Sequence, residues 1–320
     1  MTKIAVMTSG GDAPGMNAAV RAVVRRGIGR DCEVCGIQRG YSGLLNGQEF
    51  IPFEVGSVAD IIHRGGTILL TARAPEMHEV SCQVEAANRL KAEGVDGLVV
   101  IGGEGSFKGA QALERNGVQV ICVPGTIDND INGTERTIGF DTAVNTILDA
   151  VNRLRDTATS HERIFILEVM GRSTGYLALA AGLAGGAETI LVPEIEYNLN
   201  EICDRLIRGI QRKKAHSIII VAEGAADVFE VKNEIRSRIE ADIRVTVLGH
   251  IQRGGSPSAV DRLLGSRMGA AAVDLLLAGK SGLFTAVYGD ELKAVPLADC
   301  FSCQKPFPEE LYQLALALAK

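Results

Sequence analysis

Short apolar runs recur along the chain and nearly all stop at glycine or an acidic residue: Ile4–Met7, Leu98–Ile101, Val120–Val123, Ile164–Val169, Thr189–Val192, Ser217–Val221 and Val245–Leu248. Runs this short and this apolar read as buried strands. Between them lie stretches of helical periodicity, namely Asn17–Gly27, Gln83–Glu93, Asp141–Thr157, Thr174–Ala184, Asn200–Lys213 and Asp261–Ala278. Strand and helix alternate, which predicts α/β architecture with largely parallel sheets. Ligands in such sheets sit beyond the carboxyl ends of the strands. Thr8–Asp12, Gly102–Ser106, Pro124–Asp130 and Met170–Arg172 occupy those positions, so function is expected to concentrate there.

Composition narrows the classes. At 320 residues the chain suits two domains of ordinary size or one large one, and no linker or repeat divides it. Its 37 glycines imply many tight loops. A formal charge of −6, with no basic run longer than Arg212-Lys213-Lys214, disfavours a nucleic-acid surface. Anionic ligands must then be held by local arginines. No stretch approaches the ~20 apolar residues of a membrane span, so no membrane partner is expected.

Met1-Thr2-Lys3-Ile4 leads into an apolar run without a signal-peptide core, and with seven cysteines, an odd number, this implies reduced thiols and a cytoplasmic setting. Cys32/Cys35 and Cys300/Cys303 are C-x-x-C pairs. Strand-like alternation through Cys32–Cys35 points their side chains to opposite faces, favouring buried or incidental thiols over a zinc or redox site.

The loops carry the chemistry. Ser9–Asn17 turns from strand into helix, offering backbone N–H groups and a positive helix end to a phosphate, although a tight turn without a ligand is the alternative. It matches neither G-x-x-x-x-G-K-[ST] nor G-x-G-x-x-G, which disfavours a Rossmann dehydrogenase. In Gly102–Ser106 two glycines let backbone lie against phosphates while Glu104 reaches a hard cation; a plain turn is again the alternative. Thr126–Asp130 sets two carboxylates two residues apart, one suited to a substrate hydroxyl and the other to a metal or an arginine. Paired acids are often merely solvated, but Pro124-Gly125 directs this loop and favours a catalytic role. Arg73, Arg163, Arg172, Arg244 and Arg253, all in or beside loops, offer the fixed cations that phosphoryl transfer needs.

At these loops the sequence resembles the bacterial ATP-dependent 6-phosphofructokinase family. The likeness runs from Ile4 to about Ala278 and rests on TSGGDAPGMNA (8 to 18), PGTIDND (124 to 130), MGR (170 to 172) and LGHIQRGGSP (248 to 257). It implies two doubly wound, mainly parallel-sheet α/β domains, residues 1–139 with 252–303 and 140–251 with 304–320, and an active site in the cleft between them. The implied reaction passes the γ-phosphoryl group of MgATP to the C1 hydroxyl of fructose 6-phosphate. Asp128 would take the hydroxyl proton, Thr126 would position substrate, and Arg172 and Arg73 would stabilise the moving phosphoryl group. Gly11, Arg73, Ala74, Gly103, Glu104, Gly105 and Ser106 would hold the nucleotide, with Glu104 and Asp130 on Mg²⁺. The sugar phosphate would meet Thr126, Ile127 and Asp128, then Met170, Gly171, Arg172 and Glu223, and finally His250, Ile251, Gln252 and Arg253. Arg163 and Arg244 would reach over from a neighbouring subunit of a homotetramer. An effector pocket for ADP or phosphoenolpyruvate is implied at Arg21, Arg25, Arg155, Gly186, Ala187, Glu188, Arg212, Lys214, Ala215 and His216.

The family pattern is broken in three places. Glu104 replaces the usual aspartate of GGDGS, moving the carboxylate outward by one methylene. His78 and Gln83 stand where the family has arginines near the adenine, and Val55 stands in place of an effector-site arginine. Gly105 and Gly125 point to ATP, because pyrophosphate-using relatives tend to carry Asp and Lys there. Glu104 and the altered adenine neighbourhood leave a second reading, a weakly catalytic or regulatory subunit that binds nucleotide and sugar phosphate.

Overall fold

The computed structural model describes residues 2–319. The chain forms two compact units, one running to Thr142 and joined by Arg253–Lys305, the other made of Ala143–Gln252 and the segment from Pro306 on.

The first unit is built on a seven-stranded sheet: β1 (Lys3–Ser9), β2 (Glu33–Ile37), β3 (Ile51–Phe53), β4 (Gly97–Gly102), β5 (Gln119–Pro124), β10 (Leu283–Tyr288) and β11 (Glu291–Pro296), in the order β11-β10-β5-β4-β1-β2-β3. The five inner strands are parallel, while β3 and β11 close the two edges antiparallel. Every residue of β4 is buried, as its unbroken apolar run requires. One face carries α2 (Gly40–Leu45), α3 (Val80–Ala92) and α4 (Glu104–Arg115), whose Tyr41, Leu90, Phe107 and Leu113 join Met7, Leu98, Val100 and Phe284 in one core. The other carries α1 (Met16–Ile28) and α9 (Ala259–Leu277). These two helices approach closely because Gly265 and Gly269 bear no side chain; a Cβ on Gly269 would stand 2.6 Å from the Ala19 carbonyl oxygen. A short helix, α10 (Leu297–Cys300), follows β11.

The second unit has a four-stranded, wholly parallel sheet, β6 (Ile164–Val169), β7 (Thr189–Leu191), β8 (Ser217–Ala222) and β9 (Ile243–Val247), in the order β7-β8-β6-β9. Its helices are the length of α5 (Phe140–His161) that lies beyond Thr142, then α6 (Tyr176–Ala184), α7 (Leu199–Gln211), α8 (Val228–Arg236) and α11 (Glu309–Leu318). The α/β, mainly parallel architecture expected from the sequence is therefore present.

Two local expectations are corrected. Gly102–Ser106 is not all loop: the strand ends at Gly102 and α4 opens at Glu104, whose carboxylate suits the positive end of the helix. Arg244 lies within a strand. β9 is a sheet edge, so alternate side chains face solvent and the charge interrupts the apolar run by which the strand was sought.

One buried acid, given no role by the sequence, ties the start of α5 to α9. Asp261, 1% exposed, accepts from Gly139 N (2.8 Å), Thr142 N (2.8 Å) and Thr142 Oγ1 (2.5 Å), and so caps α5 from another helix. Burial raises its pKa against the pull of those bonds. A carboxyl whose pKa folding raises contributes most below its unfolded value, and that contribution falls as pH rises through the folded value. Asp261→Ala should lower stability by about 1–3 kcal/mol in urea denaturation, and the deficit should be larger at about pH 4.5 than at about pH 7.5.

Candidate active site

β1 leaves toward β2 on one side and β4 toward β5 on the other, so the sheet has a switch point between the carboxyl ends of β1 and β4. The backbones there are nearly in contact: a Cβ on Gly102 would lie 2.5 Å from both Ser9 O and Ser106 Oγ. Gly10 and Gly15 hold φ of 85° and 106°, which turns Ser9 back into α1. Side chains stitch residues 64–71 onto this turn. Asn17 Nδ2 donates to Arg64 O (3.1 Å), Ile68 N donates to Asn17 Oδ1 (2.8 Å), and Thr71 Oγ1 donates to Gly10 O (2.7 Å). Arg73 and Ala74 follow directly. Asn17 was legible only as part of a motif; its task as a buried clamp depends on a segment about fifty residues away.

Arg253 belongs to this first loop. Its Nη1 donates to Asp12 O at 3.2 Å, and a Cβ on Gly11 would come within 2.5 Å of that nitrogen. Glu104, half-buried in the first turn of α4, pairs with Lys108 at 2.5 Å, and the Lys108 ammonium also stands 5.8 Å over the Phe301 ring. A side chain at Gly105 would meet nothing within 4 Å, whereas one at Gly125 would press on Met16 and Ile101 at 3.1 and 3.2 Å. Gly105 thus keeps open space beside the loop, and Gly125 serves packing. Ser106 is buried, its carbonyl accepting from Tyr41 Oη at 2.6 Å. Of the positions that depart from the family, His78 ends an exposed 3₁₀ turn, Gln83 donates to Met77 O at 2.9 Å, and Val55 is exposed.

The third loop is held by its own hydroxyls. Asp128 is fully buried; its N–H donates to Thr126 Oγ1 (3.2 Å), whose hydroxyl lies 3.4 Å from Asp128 Oδ2. Asn129 adopts φ 54° between the two aspartates, a conformation that asparagine tolerates better than most residues. Thr137 Oγ1 donates to Thr126 O at 2.6 Å, and Gly125 pairs with Ile138. Ile127 is a core residue.

Glu104 and Asp130 are the two carboxylates that the sequence offers to a magnesium ion. Burial pushes the Cys300 thiol up to about 12, with the charges of Glu104 and Asp130 adding to the shift, so both carboxylates act on one neighbourhood. Among the described residues no three His, Cys, Asp or Glu side chains group as a metal cage. Magnesium commonly takes one or two carboxylates and draws its remaining ligands from water and phosphate. The cysteines are all free, with Cys32, Cys35 and Cys300 buried and Cys303 exposed.

In the second unit the carboxyl ends of β6 and β8 gather Met170, Gly171, Arg172 and Glu223. Gly171 has φ 139° and Arg172 φ 54°. Glu223 Oε1 accepts from Arg172 N at 2.8 Å, and Gln252, itself buried, accepts at Oε1 from Met170 N at 3.2 Å. A Cβ on Gly224 would lie 2.1 Å from Arg172 O, so this turn closes on a glycine. His250 and Ile251 are exposed.

Arg163 and Arg244 stand at the opposite end of the same sheet and share one carboxylate. Arg163 Nε meets Asp242 Oδ2 at 2.6 Å and Arg244 Nε meets Oδ1 at 2.9 Å, and these bonds hold the Asp242 pKa down. A separate group forms around Glu188. Its Oε1 meets Lys214 Nζ at 2.6 Å and its Oε2 accepts from Ile218 N at 2.5 Å. His216 Nδ1 bonds Thr159 Oγ1 at 2.9 Å, and burial lowers its pKa despite the pull of Glu188. Arg155 donates to Gly185 O, next to Gly186 and Ala187. Arg212 caps the end of α7 and Ala215 is half-buried. Arg21 and Arg25 lie on α1 of the first unit; between them and the helix end, Arg26 makes paired 2.9 Å bonds to Asp274.

The fold and these loops define an α/β protein whose two mainly parallel sheets carry glycine-rich, acidic and arginine-bearing turns at their strand ends. The phosphofructokinase family profile matches residues 3–276. The ATP-dependent 6-phosphofructokinases of Natranaerobius thermophilus and Bacillus cereus are 55% and 53% identical to the chain over 319 residues, covering 100% of each sequence. The solved phosphofructokinase of Saccharomyces cerevisiae superposes with a TM-score of 0.91 at 34% identity over 99% of this chain, which spans 50% of the yeast chain. The chain belongs to the phosphofructokinase family.

The contrast between neighbouring glycines is testable by thermal melting. Gly105→Ala, in open space near the start of a helix, should leave the melting temperature unchanged or slightly raised. Gly102→Ala, forced against backbone at 2.5 Å, should lower it by several degrees.

Proposed function

We propose that this protein is a kinase that passes the γ-phosphoryl group of MgATP to the C1 hydroxyl of fructose 6-phosphate. The observation that carries the reading is the Thr126–Asp130 loop, with Asp128 buried beside the Thr126 hydroxyl, in a chain that aligns end to end with ATP-dependent 6-phosphofructokinases. Asp128 accepts the proton of the attacking hydroxyl, and Thr126 fixes the carboxylate's orientation. Arg172 and Arg73 offset charge on the transferring group, so that positioning and fixed charge supply most of the rate. Gly11 and Gly103–Ser106 admit the nucleotide phosphates against backbone, and open space at Gly105 supports a donor larger than pyrophosphate. Glu104 and Asp130 would hold Mg²⁺, which when bound neutralises phosphate charge; Glu104 must first leave Lys108.

Met170, Gly171, Arg172 and Glu223 bind the sugar phosphate, with His250, Ile251 and Arg253 beside them in sequence and Gln252 behind as support. Arg163 and Arg244 cannot serve that cluster within one chain. They sit at the far end of β6, roughly 17–20 Å along the strand, which supports their working in a neighbouring subunit's site and hence a homotetramer. Arg155, Arg212, Lys214 and His216, with Arg21 and Arg25, are assigned to the effector site for ADP or phosphoenolpyruvate. An anion arriving there competes with Glu188 for Lys214. Effector control then follows from different affinity for two quaternary states.

Purified protein given ATP, GTP or pyrophosphate with fructose 6-phosphate and Mg²⁺ should form fructose 1,6-bisphosphate fastest with ATP. Asp128→Asn should lower kcat by about 10²–10⁴-fold while fructose 6-phosphate still binds in calorimetry. Ligand binding without product, with Mg²⁺ or Mn²⁺, would instead establish a regulatory binding subunit.

A further inference from the structure

The segment between α10 and α11 carries one lysine that is tied to the acidic loop and that neither the sequence nor the proposed reaction uses. Lys305 Nζ donates to Asn129 O at 2.9 Å and to Glu135 O at 3.1 Å. The same two residues are joined again, since Asn129 Nδ2 also donates to Glu135 O at 3.1 Å. Thr137 Oγ1 lies 3.3 Å from Asn129 Oδ1 and donates to Thr126 O, and Thr126 Oγ1 in turn contacts both the N–H and the carboxylate of Asp128. Hydrogen bonds thus fasten the Lys305 ammonium to Asn129, the residue that follows Asp128 in the loop, while Thr126 and Thr137 hold Asp128 from the other side.

A cation is suited to this place. Two carbonyl oxygens converge on it, and only an ammonium offers three donors on so slender a stem. Withdrawal from water is costly for such a group. Burial pulls the Lys305 pKa down to about 8 even though the charges of Asp130 and Glu135 pull it up, so the loop's acids offset part of that cost. The clamp falls on the residue with φ 54°, the one backbone conformation between the two aspartates that most side chains avoid.

We propose that Lys305 is a positioning residue for the phosphoryl-transfer step, fixing Asn129 in its left-handed conformation so that Asp128 and Asp130 are presented in their working directions. The role in transfer rests on the function proposed above; the clamp itself does not. Lys305 touches the loop's backbone, so its loss should act on turnover rather than on substrate affinity.

The test compares wild type with Lys305→Met and Lys305→Arg in the full chain. Lys305→Met should lower kcat by about 10- to 100-fold, the scale of a misplacement near 1 Å, with KM for fructose 6-phosphate and ATP changed by less than about threefold. Lys305→Arg, which keeps the charge and donors, should recover part of that loss. Hydrogen exchange read on the amides of residues 128–137 should be faster in Lys305→Met and near wild type in Lys305→Arg. Unchanged exchange in a folded Lys305→Met overturns the clamp, and faster exchange with unchanged kcat overturns the positioning role, as does a loss confined to KM. Should Lys305→Met not fold, Lys305→Gln is read against the same outcomes. An inactive wild type that still shows the exchange difference would sink the functional reading and leave the clamp standing.

Discussion

The protein depends on how closely two parallel strands end beside one another. At the carboxyl ends of β1 and β4 there is no room for a single Cβ on Gly102, because Ser9 O and Ser106 Oγ already occupy the space. This contact fixes where the chain must turn on both sides of the switch point. The turn after Ser9 and the first turn of α4 are thereby brought together, so that a Cβ on Gly10 would stand 3.2 Å from Ser106 Oγ. Rigid strand ends, rather than mobile loops, supply the precision.

Charge is arranged on the same plan. Three of the cations assigned to ligands are held by acids of their own, Arg163 and Arg244 by Asp242 and Lys214 by Glu188. Partly exposed pairs of this kind are worth only about 0–1 kcal/mol. Glu104 is itself held by a cation, since its side chain reaches Lys108 one turn along the helix.

The chain passes between the two units after Thr142, after Gln252 and after Lys305, and each passage is fastened to a functional loop. Asp261 of α9 grips Thr142 in the first turn of α5. Gln252 holds Met170 N while its neighbour Arg253 holds Asp12 O, and Lys305 holds Asn129 O. None of these ties is local in sequence, with separations of 119, 82, 241 and 176 residues.

The sequence by itself determined the strands that are apolar on both faces, the helices long enough to show their period, and the glycine-bearing turns at the strand ends. Each of these follows from neighbours along the chain, through alternation, periodicity or a glycine where backbone must reverse. It was silent on β3 and β11, because edge strands are wet on one side, and on the inner strand β10, and it took the first turn of α4 for loop because glycine hides a helix start. Only tertiary structure decided which groups meet. It set Arg253 against Gly11, paired Arg163 and Arg244 on one aspartate at the far end of the sheet, and brought Lys305 to Asn129. Burial and hydrogen bonding between distant segments have no period, so no pattern along the chain could announce them.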